Sequence, residues 1–353
     1  MSKVRVAVVG AGTIAEVGHL PYYQKHPEVE LTAIVDRNEK RARDMKEKFS
    51  IPKTYPSLSE MIKSESIDAI SICTPNVSHV PLCIEALKNG IDVLVEKPLA
   101  VTYHEAKELQ RVADNTGRIV MVGMTHRFRN ESQVVKRLTG ENEFGKLYYV
   151  KAQLMRRRGT PKGWFTDYSM SGGGALMDIG VHALDLAWWL VGKPVPLAVS
   201  GFLYQGLGHY RTEMISSWKS ALPVIGEPTF NVEDFVTAFF RFQDQMVLHL
   251  EVSWAIEGPQ DEGLKVFLYG EKGGAALDPL RVYGEKKNLL FENQLLIEKN
   301  NPYEAEINHF IEAVKERTKP MSPLEDGVEI VKMLEGAKIS SEQGREIDFH
   351  NCI

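Results

Sequence analysis

Cysteine is scarce in this chain: Cys73, Cys83 and Cys352 are the only three among 353 residues. An odd count without C-x-x-C spacing or a Cys/His cluster excludes a disulfide framework and a zinc site, and no metal is expected. Long apolar runs are also missing. No stretch approaches the ~20 apolar residues that a membrane-spanning helix needs. Neither sign of charge dominates. Lys and Arg number 42 against 47 Asp and Glu, a formal charge of -5, so the chain carries neither a basic nucleic-acid footprint nor an acidic tail. Met1–Arg5 runs straight into an apolar strand pattern with no room for a cleavable signal, and the expected location is the cytoplasm. No internal repeat or low-complexity tract is present.

What is there is an ordinary globular mixture, 43% hydrophobic and 25% charged. At about 100–200 residues per domain, the length predicts two domains. The first third alternates between short apolar runs (Val4–Val9, Leu31–Val35, Ala69–Cys73, Val93–Val95, Ile119–Val122) and helical patterns (Ile14–Lys25, Asn38–Phe49, His79–Asn89, Tyr103–Asn115). That alternation predicts βαβ units and a parallel sheet buried on both faces. After Gly123 the texture changes to long alternating segments: Leu147–Arg156, Phe235–Phe242, Met246–Trp254 and Leu264–Tyr269. These predict a largely antiparallel sheet with one packed face and one open to a partner subunit. Asn301–Arg317 and Pro323–Gln343 read as two closing helices. The expected organisation is an α/β Rossmann domain over residues 1–123 and an α+β domain over 124–353.

Gly10-Ala11-Gly12-Thr13-Ile14-Ala15 follows the first strand and opens a helix, the pattern G-x-G-x-x-A. Gly10 permits the tight turn, Gly12 admits a pyrophosphate to the backbone, and Ala15 keeps helix and strand close. Thr13 and Ile14 complete the anion-facing turn. Asp36 ends the second strand, where an acid accepts hydrogen bonds from ribose hydroxyls. The plainer reading is an ordinary βα turn with Asp36 capping the next helix. Asp36 favours NAD because its charge repels a 2′-phosphate. Arg37, able either to stack on adenine or to meet that phosphate, keeps NADP as an alternative.

Two later segments carry a resemblance. One is Cys73-Thr74-Pro75-Asn76-Val77-Ser78-His79 followed by Val95-Glu96-Lys97-Pro98-Leu99. The other is Gly172-Gly173-Gly174-Ala175-Leu176-Met177-Asp178-Ile179-Gly180-Val181-His182-Ala183-Leu184-Asp185. With the glycine turn, these resemble the Gfo/Idh/MocA family of nicotinamide-dependent oxidoreductases, across essentially the whole chain. The resemblance implies a Rossmann domain and a second domain with a large open sheet, often used for dimers or tetramers. It implies that Lys97 sits beside the nicotinamide, that Asp178 and His182 face it, and that Lys97–Pro98 is a candidate cis peptide.

The residues support that chemistry in their own right. Asp178 and His182 are four apart on a helical stretch and project from one face, and Asp185 could join them. Oxidising a secondary alcohol needs a base for the hydroxyl proton, and histidine titrates near working pH. Lys97 can polarise the same oxygen, and Asp178 can orient a neighbouring hydroxyl. Each has a bland counterpart: a strand-end lysine, a helix cap, a core histidine.

Thr74, Pro75, Asn76 and His79 follow a parallel strand at its C-terminal end, where nucleotides bind in open sheets. Glu96 is expected to hold either the nicotinamide ribose or the turn. His126 and Arg127 read either as lining the cleft or as a hinge. Within Arg156-Arg157-Arg158-Gly159-Thr160-Pro161-Lys162-Gly163-Trp164-Phe165, Arg156 and Trp164 are candidate substrate contacts, although three arginines equally suit a solvated strand end. Trp188 and Trp189 read as core. The Gly206–Gly226 connection suits either a pocket wall or a subunit contact.

The expected function is NAD-dependent dehydrogenation of a cyclic polyol, an inositol or a pyranose sugar, by a homodimer or homotetramer. An NAD-recycling glycosidase of the same superfamily and a non-catalytic dinucleotide sensor are the alternatives.

Overall fold

The computed structural model describes residues 3–208, 210, 229–259 and 263–350. Most of the Gly206–Gly226 connection, and Cys352, lie outside the described residues. Cys73 and Cys83 are free and buried.

The chain forms two compact units. The first holds the described residues through Thr125, together with Asn301–Val331. Its six-stranded sheet has the order β3-β2-β1-β4-β5-β6. The strands are β1 (Val4–Val9), β2 (Val29–Val35), β3 (Lys53–Tyr55), β4 (Ala69–Ile72), β5 (Asp92–Glu96) and β6 (Val120–Gly123). All five pairings are parallel. This is the doubly wound order, with its crevice where the direction of winding reverses between β1 and β4. The apolar runs of β4, β5 and β6 are buried at every position, as strands covered by helices must be.

Helices α1 (Leu20–Lys25), α2 (Glu39–Phe49), α3 (Leu58–Ser64), α4 (His79–Lys88) and α5 (Tyr103–Thr116) alternate with these strands. Their ends follow local chemistry. Asn38, Ser57 and Thr102 accept backbone N–H groups as N-caps, and Gly117 closes α5 at φ 62. A π turn over Ala15–His19 precedes α1, so the predicted Ile14–Lys25 helix is made of two differently wound pieces.

The second unit holds the described residues from His126 to 300 and from Lys332 onward. It contains α6 (Asn130–Gly140), α7 (Tyr168–Ser171) and α8 (Val181–Leu190). Its nine-stranded sheet runs β14-β13-β12-β11-β7-β10-β9-β8-β15. Those strands are β7 (Leu147–Met155), β8 (Pro196–Tyr204), β9 (Phe235–Phe242), β10 (Val247–Ser253), β11 (Lys265–Gly270), β12 (Gly273–Leu277), β13 (Arg281–Lys286), β14 (Leu289–Gln294) and β15 (Ile347–Asp348). The sheet is antiparallel except for the parallel β7–β10 pair. Alternate residues of β7, β9 and β10 are buried, as one-sided packing requires.

Helix α9 (Pro302–Glu316) belongs to the first unit, while α10 (Leu324–Gln343) runs from the first unit into the second. The return of Asn301–Val331 to the dinucleotide-type unit is absent from the two-part division at residue 123. No break in the hydrophobic pattern marks it, because α9 buries one face like any surface helix.

Candidate active site

In the first unit, Gly10 lies at φ +99. A Cβ there would overlap the Cys73 carbonyl, 2.7 Å from its carbon, so glycine is required on both counts. Gly12 has nothing within 4 Å of its Cβ position, which leaves the backbone open to a ligand. Asp36 accepts from Ala11 N at 2.8 Å and from Asn38 N at 2.7 Å. Its carboxylate therefore braces the glycine turn and retains lone pairs for ribose hydroxyls. Thr13, Ile14, Thr74 and Pro75 are half-buried, whereas Arg37 is exposed and Asn76 is buried. The open backbone at Gly12, the Asp36 carboxylate and the start of the helix that follows fit an NAD pyrophosphate and adenosine ribose.

His79 departs from expectation. Its ring is fully buried, with Nδ1 2.8 Å from the Pro98 carbonyl and Nε2 2.9 Å from the Thr74 carbonyl. Instead of presenting a nitrogen to a ligand, it ties the turn after β4 to the turn after β5. Burial lowers its pKa, against the raising effect of those two carbonyls.

Glu96 likewise faces inward. Its Oε1 lies 2.9 Å from His19 Nε2, and its Oε2 accepts from the Lys97 amide at 3.3 Å. Of its two sequence readings, the geometry matches support of the turn. Burial pushes its carboxyl up, but the His19 hydrogen bond and the charges of His19, Lys97 and His79 hold it below the ordinary range. His19 Nδ1 continues the network to Ser71 Oγ at 3.1 Å, which meets Tyr23 OH at 2.6 Å. Lys97 is half-buried at the end of β5, and its peptide bond to Pro98 is cis.

The second unit carries the other candidates. The glycines before the Asp178–His182 stretch are dictated by sterics. Gly172 sits at φ +72, and a Cβ on Gly174 would overlap the Glu233 carbonyl oxygen. Glu233 Oε1 accepts from Gly174 N and Leu176 N, both at 2.9 Å, and its carbonyl accepts from Ala175 N at 3.0 Å. One residue thus caps a π turn, Leu176–Gly180, that holds Asp178 and leads into α8. Burial raises the Glu233 pKa against those amide bonds. Asp178 is half-buried, and its Oδ2 accepts from Trp254 Nε1 at 2.9 Å. His182, also half-buried, meets His126 edge to face, with ring centroids 4.9 Å apart.

Asp185 is not part of this face. It is 1% exposed and ion-paired with the fully buried Arg127, so Arg127 also does not line a cleft. Trp188 and Trp189 are core. In the arginine segment, Arg158 is bound by Glu257 and by the carbonyls of Arg157 and Ile256. Arg156 is half-buried and makes one long contact, 3.5 Å, to the Gly159 carbonyl. Trp164 stacks on Phe165 at 4.0 Å between centroids. Sequence reading missed Glu233 and Trp254, for which no local motif exists.

Family models match both parts of the chain: the NAD-binding Rossmann fold of the GFO/IDH/MocA oxidoreductases over residues 4–124, and the C-terminal domain of the same family over residues 132–276. D-glucoside 3-dehydrogenase of Escherichia coli (strain K12) is 29% identical over 352 residues, covering 99% of this chain and 98% of that protein. The scyllo-inositol 2-dehydrogenase (NAD(+)) of Bacillus subtilis (strain 168) is 31% identical over 56% of this chain and 57% of its own. Among solved structures, an oxidoreductase domain protein from Kribbella flavida superposes with a TM-score of 0.86 at 21% identity, over 99% of this chain and 100% of that one. Levoglucosan dehydrogenase with NADH and levoglucosan gives 0.85 at 20%, with the same coverage. The chain belongs to the GFO/IDH/MocA family of NAD-dependent oxidoreductases.

Proposed function

We propose that this protein oxidises a secondary alcohol of a cyclic polyol, with a pyranose glucoside or an inositol as substrate. The observation that carries the reading is the second-unit constellation: Asp178 held by Trp254, and His182 four residues on against His126. The D-glucoside and inositol dehydrogenases among its relatives support this substrate class.

NAD, when bound on the Gly10–Gly12 turn and Asp36, supplies the hydride acceptor. As the alcohol C–H bond breaks, His182 takes the hydroxyl proton on a ring nitrogen. Lys97 donates a hydrogen bond to the same oxygen and stabilises its developing negative charge. Asp178 accepts a hydrogen bond from an adjacent hydroxyl, which fixes the ring against rotation. His126, Arg156 and Trp164 supply further contacts to that ring. Glu96 and His79 act one step back, holding the Lys97–Pro98 turn. The cytoplasm, with its NAD pool, is the compartment that suits this chemistry.

We also assign the open face of the nine-stranded sheet to a second copy of this chain. Two polar pairs on it are satisfied internally: Lys151 pairs with Glu251 at 2.8 Å, and Thr237 meets His249 at 2.9 Å. Phe202 and Tyr204, 52% and 56% exposed, stack beside them. Such a face meets itself about a two-fold axis without like-charge conflict. Analytical ultracentrifugation showing only monomer at micromolar concentration would contradict this.

The activity test is NADH formation over myo-inositol, scyllo-inositol, glucose, xylose, galactose and methyl β-D-glucopyranoside, with NAD and NADP run separately. Accumulating NADH supports the dehydrogenase and names the ring. Aglycone release from a glycoside without NADH would replace it with an NAD-recycling glycosidase.

A further inference from the structure

We propose that Trp254 is a positioning residue for Asp178, aiming its carboxylate at the substrate hydroxyl. This rests on the role given to Asp178 above. Trp254 is fully buried immediately after the end of β10, and a buried indole N–H requires an acceptor. Its acceptor is not the backbone carbonyl that most side-chain donors find. It is Asp178 Oδ2, at 2.9 Å and 76 residues away in sequence. A hydrogen bond to a carboxylate is stronger and more directional than one between neutral groups. Fixing Oδ2 sets the rotation of the carboxylate about its own axis, and with it the direction of the remaining lone pairs.

The backbone around this contact is held from two adjacent residues. Glu233 clamps the start of the Asp178 turn, through its carboxylate to Gly174 and Leu176 and through its carbonyl to Ala175. The next residue, Asp234, accepts the Trp254 amide on its own carbonyl at 2.8 Å. Two consecutive residues, Glu233 and Asp234, therefore hold the turn that leads into Asp178 and the main chain of Trp254. Asp234 is itself fully buried, with its carboxylate accepting Gly206 N and Gly208 N, both at 2.7 Å. A tryptophan with a purely space-filling role would need none of this alignment. Substrate positioning at such tolerance is where small misplacements cost large factors in rate.

The test is a double-mutant cycle of Trp254→Phe, which keeps a ring and removes the donor, with Asp178→Asn. Full-length protein is assayed with NAD and whichever sugar or inositol of the panel turns over fastest. Trp254→Phe is expected to lower kcat/KM about tenfold to a hundredfold, the worth of one charge-assisted hydrogen bond. In the Asp178→Asn background its further effect is expected to fall below about twofold, because the pair acts as one unit. NAD affinity by calorimetry is unchanged in both. Equal losses in the two backgrounds, or no loss in either, overturn the proposal. An Asp178→Asn variant as active as the parent overturns the functional reading first. Urea midpoints of the same four proteins need no substrate, and strictly additive midpoints also overturn the proposal. Should Trp254→Phe not fold, Trp254→Met, an apolar residue that also lacks the donor, is read by the same criteria.

Discussion

Arg127 grips Asp185 at two points, with Nε 3.0 Å from one carboxylate oxygen and Nη2 2.6 Å from the other. Both side chains are sealed from solvent, and the guanidinium lies 5.7 Å from the Trp189 ring centre. The pair joins the residue after His126 to the residue one helical turn beyond His182. It thereby sets the register in which the two histidine rings meet.

Breaking that pair is therefore expected to be costly. Asp185→Asn leaves a buried guanidinium without its counter-charge, a loss of about 3–5 kcal/mol. Chemical denaturation of the variant measures it. A loss below about 1 kcal/mol would mean that water reaches the pair. Arg127→Met is predicted to be milder than Asp185→Asn when paired with Asp185→Leu, since an apolar replacement of both partners removes the stranded charge.

Lys97→Ala is expected to lower turnover by at least about a hundredfold, the range typical of a group acting on the reacting proton or oxygen. NAD affinity is expected to stay within about threefold, because the glycine turn and Asp36 that hold the dinucleotide end are untouched. A fluorescence titration of NAD against a steady-state assay separates the two. Full turnover without the amine would remove Lys97 from the mechanism.

What the sequence made legible follows from range. The parallel strands are unbroken apolar runs, so periodicity alone finds β1, β4, β5 and β6. Lys97, Asp178 and His182 lie in motifs whose spacing is short. The residues that hold them are long-range. Glu233 reaches Gly174 across 59 positions, Trp254 reaches Asp178 across 76, and Glu306 reaches Thr125 across 181. No local pattern encodes such contacts. His79 misled for a related reason: its motif is genuine, but its side chain turns inward to tie two turns together. The short strand β3 and the hairpin β13–β14, exposed along much of its length, lacked the buried alternation that marks a strand.

The two turn glycines are predicted to fail differently. Gly10→Ala places a methyl against the Cys73 carbonyl at a φ that side chains rarely adopt, so the apoprotein itself should lose several kcal/mol, about 2–4. Gly12→Ala meets no atom within 4 Å, so its apo melting temperature should match the parent. Its NAD affinity should nevertheless drop at least about tenfold, because the added methyl lies where the pyrophosphate approaches. Parallel melts with and without NAD decide it. Unaltered NAD affinity in Gly12→Ala would move the pyrophosphate away from this turn.

Glu306 supplies a pH dependence whose sign can be worked out. It is 1% exposed, accepts from Thr125 Oγ1 at 2.9 Å on one oxygen, and has no hydrogen-bond partner on the other. Burial, reinforced by the Glu96 charge, holds its carboxyl protonated well above the ordinary range. A group whose folded pKa is raised contributes its full stability below the ordinary carboxylate pKa. That contribution declines as pH rises towards the folded value. Glu306→Gln keeps an acceptor for Thr125 and cannot ionise, so its own cost is the same at every pH. The variant's melting temperature should therefore gain on the parent's as pH rises above the ordinary carboxylate range. A constant difference over that rise would show that the carboxyl does not change its proton affinity on folding, and that Glu96 lies too far from it to matter.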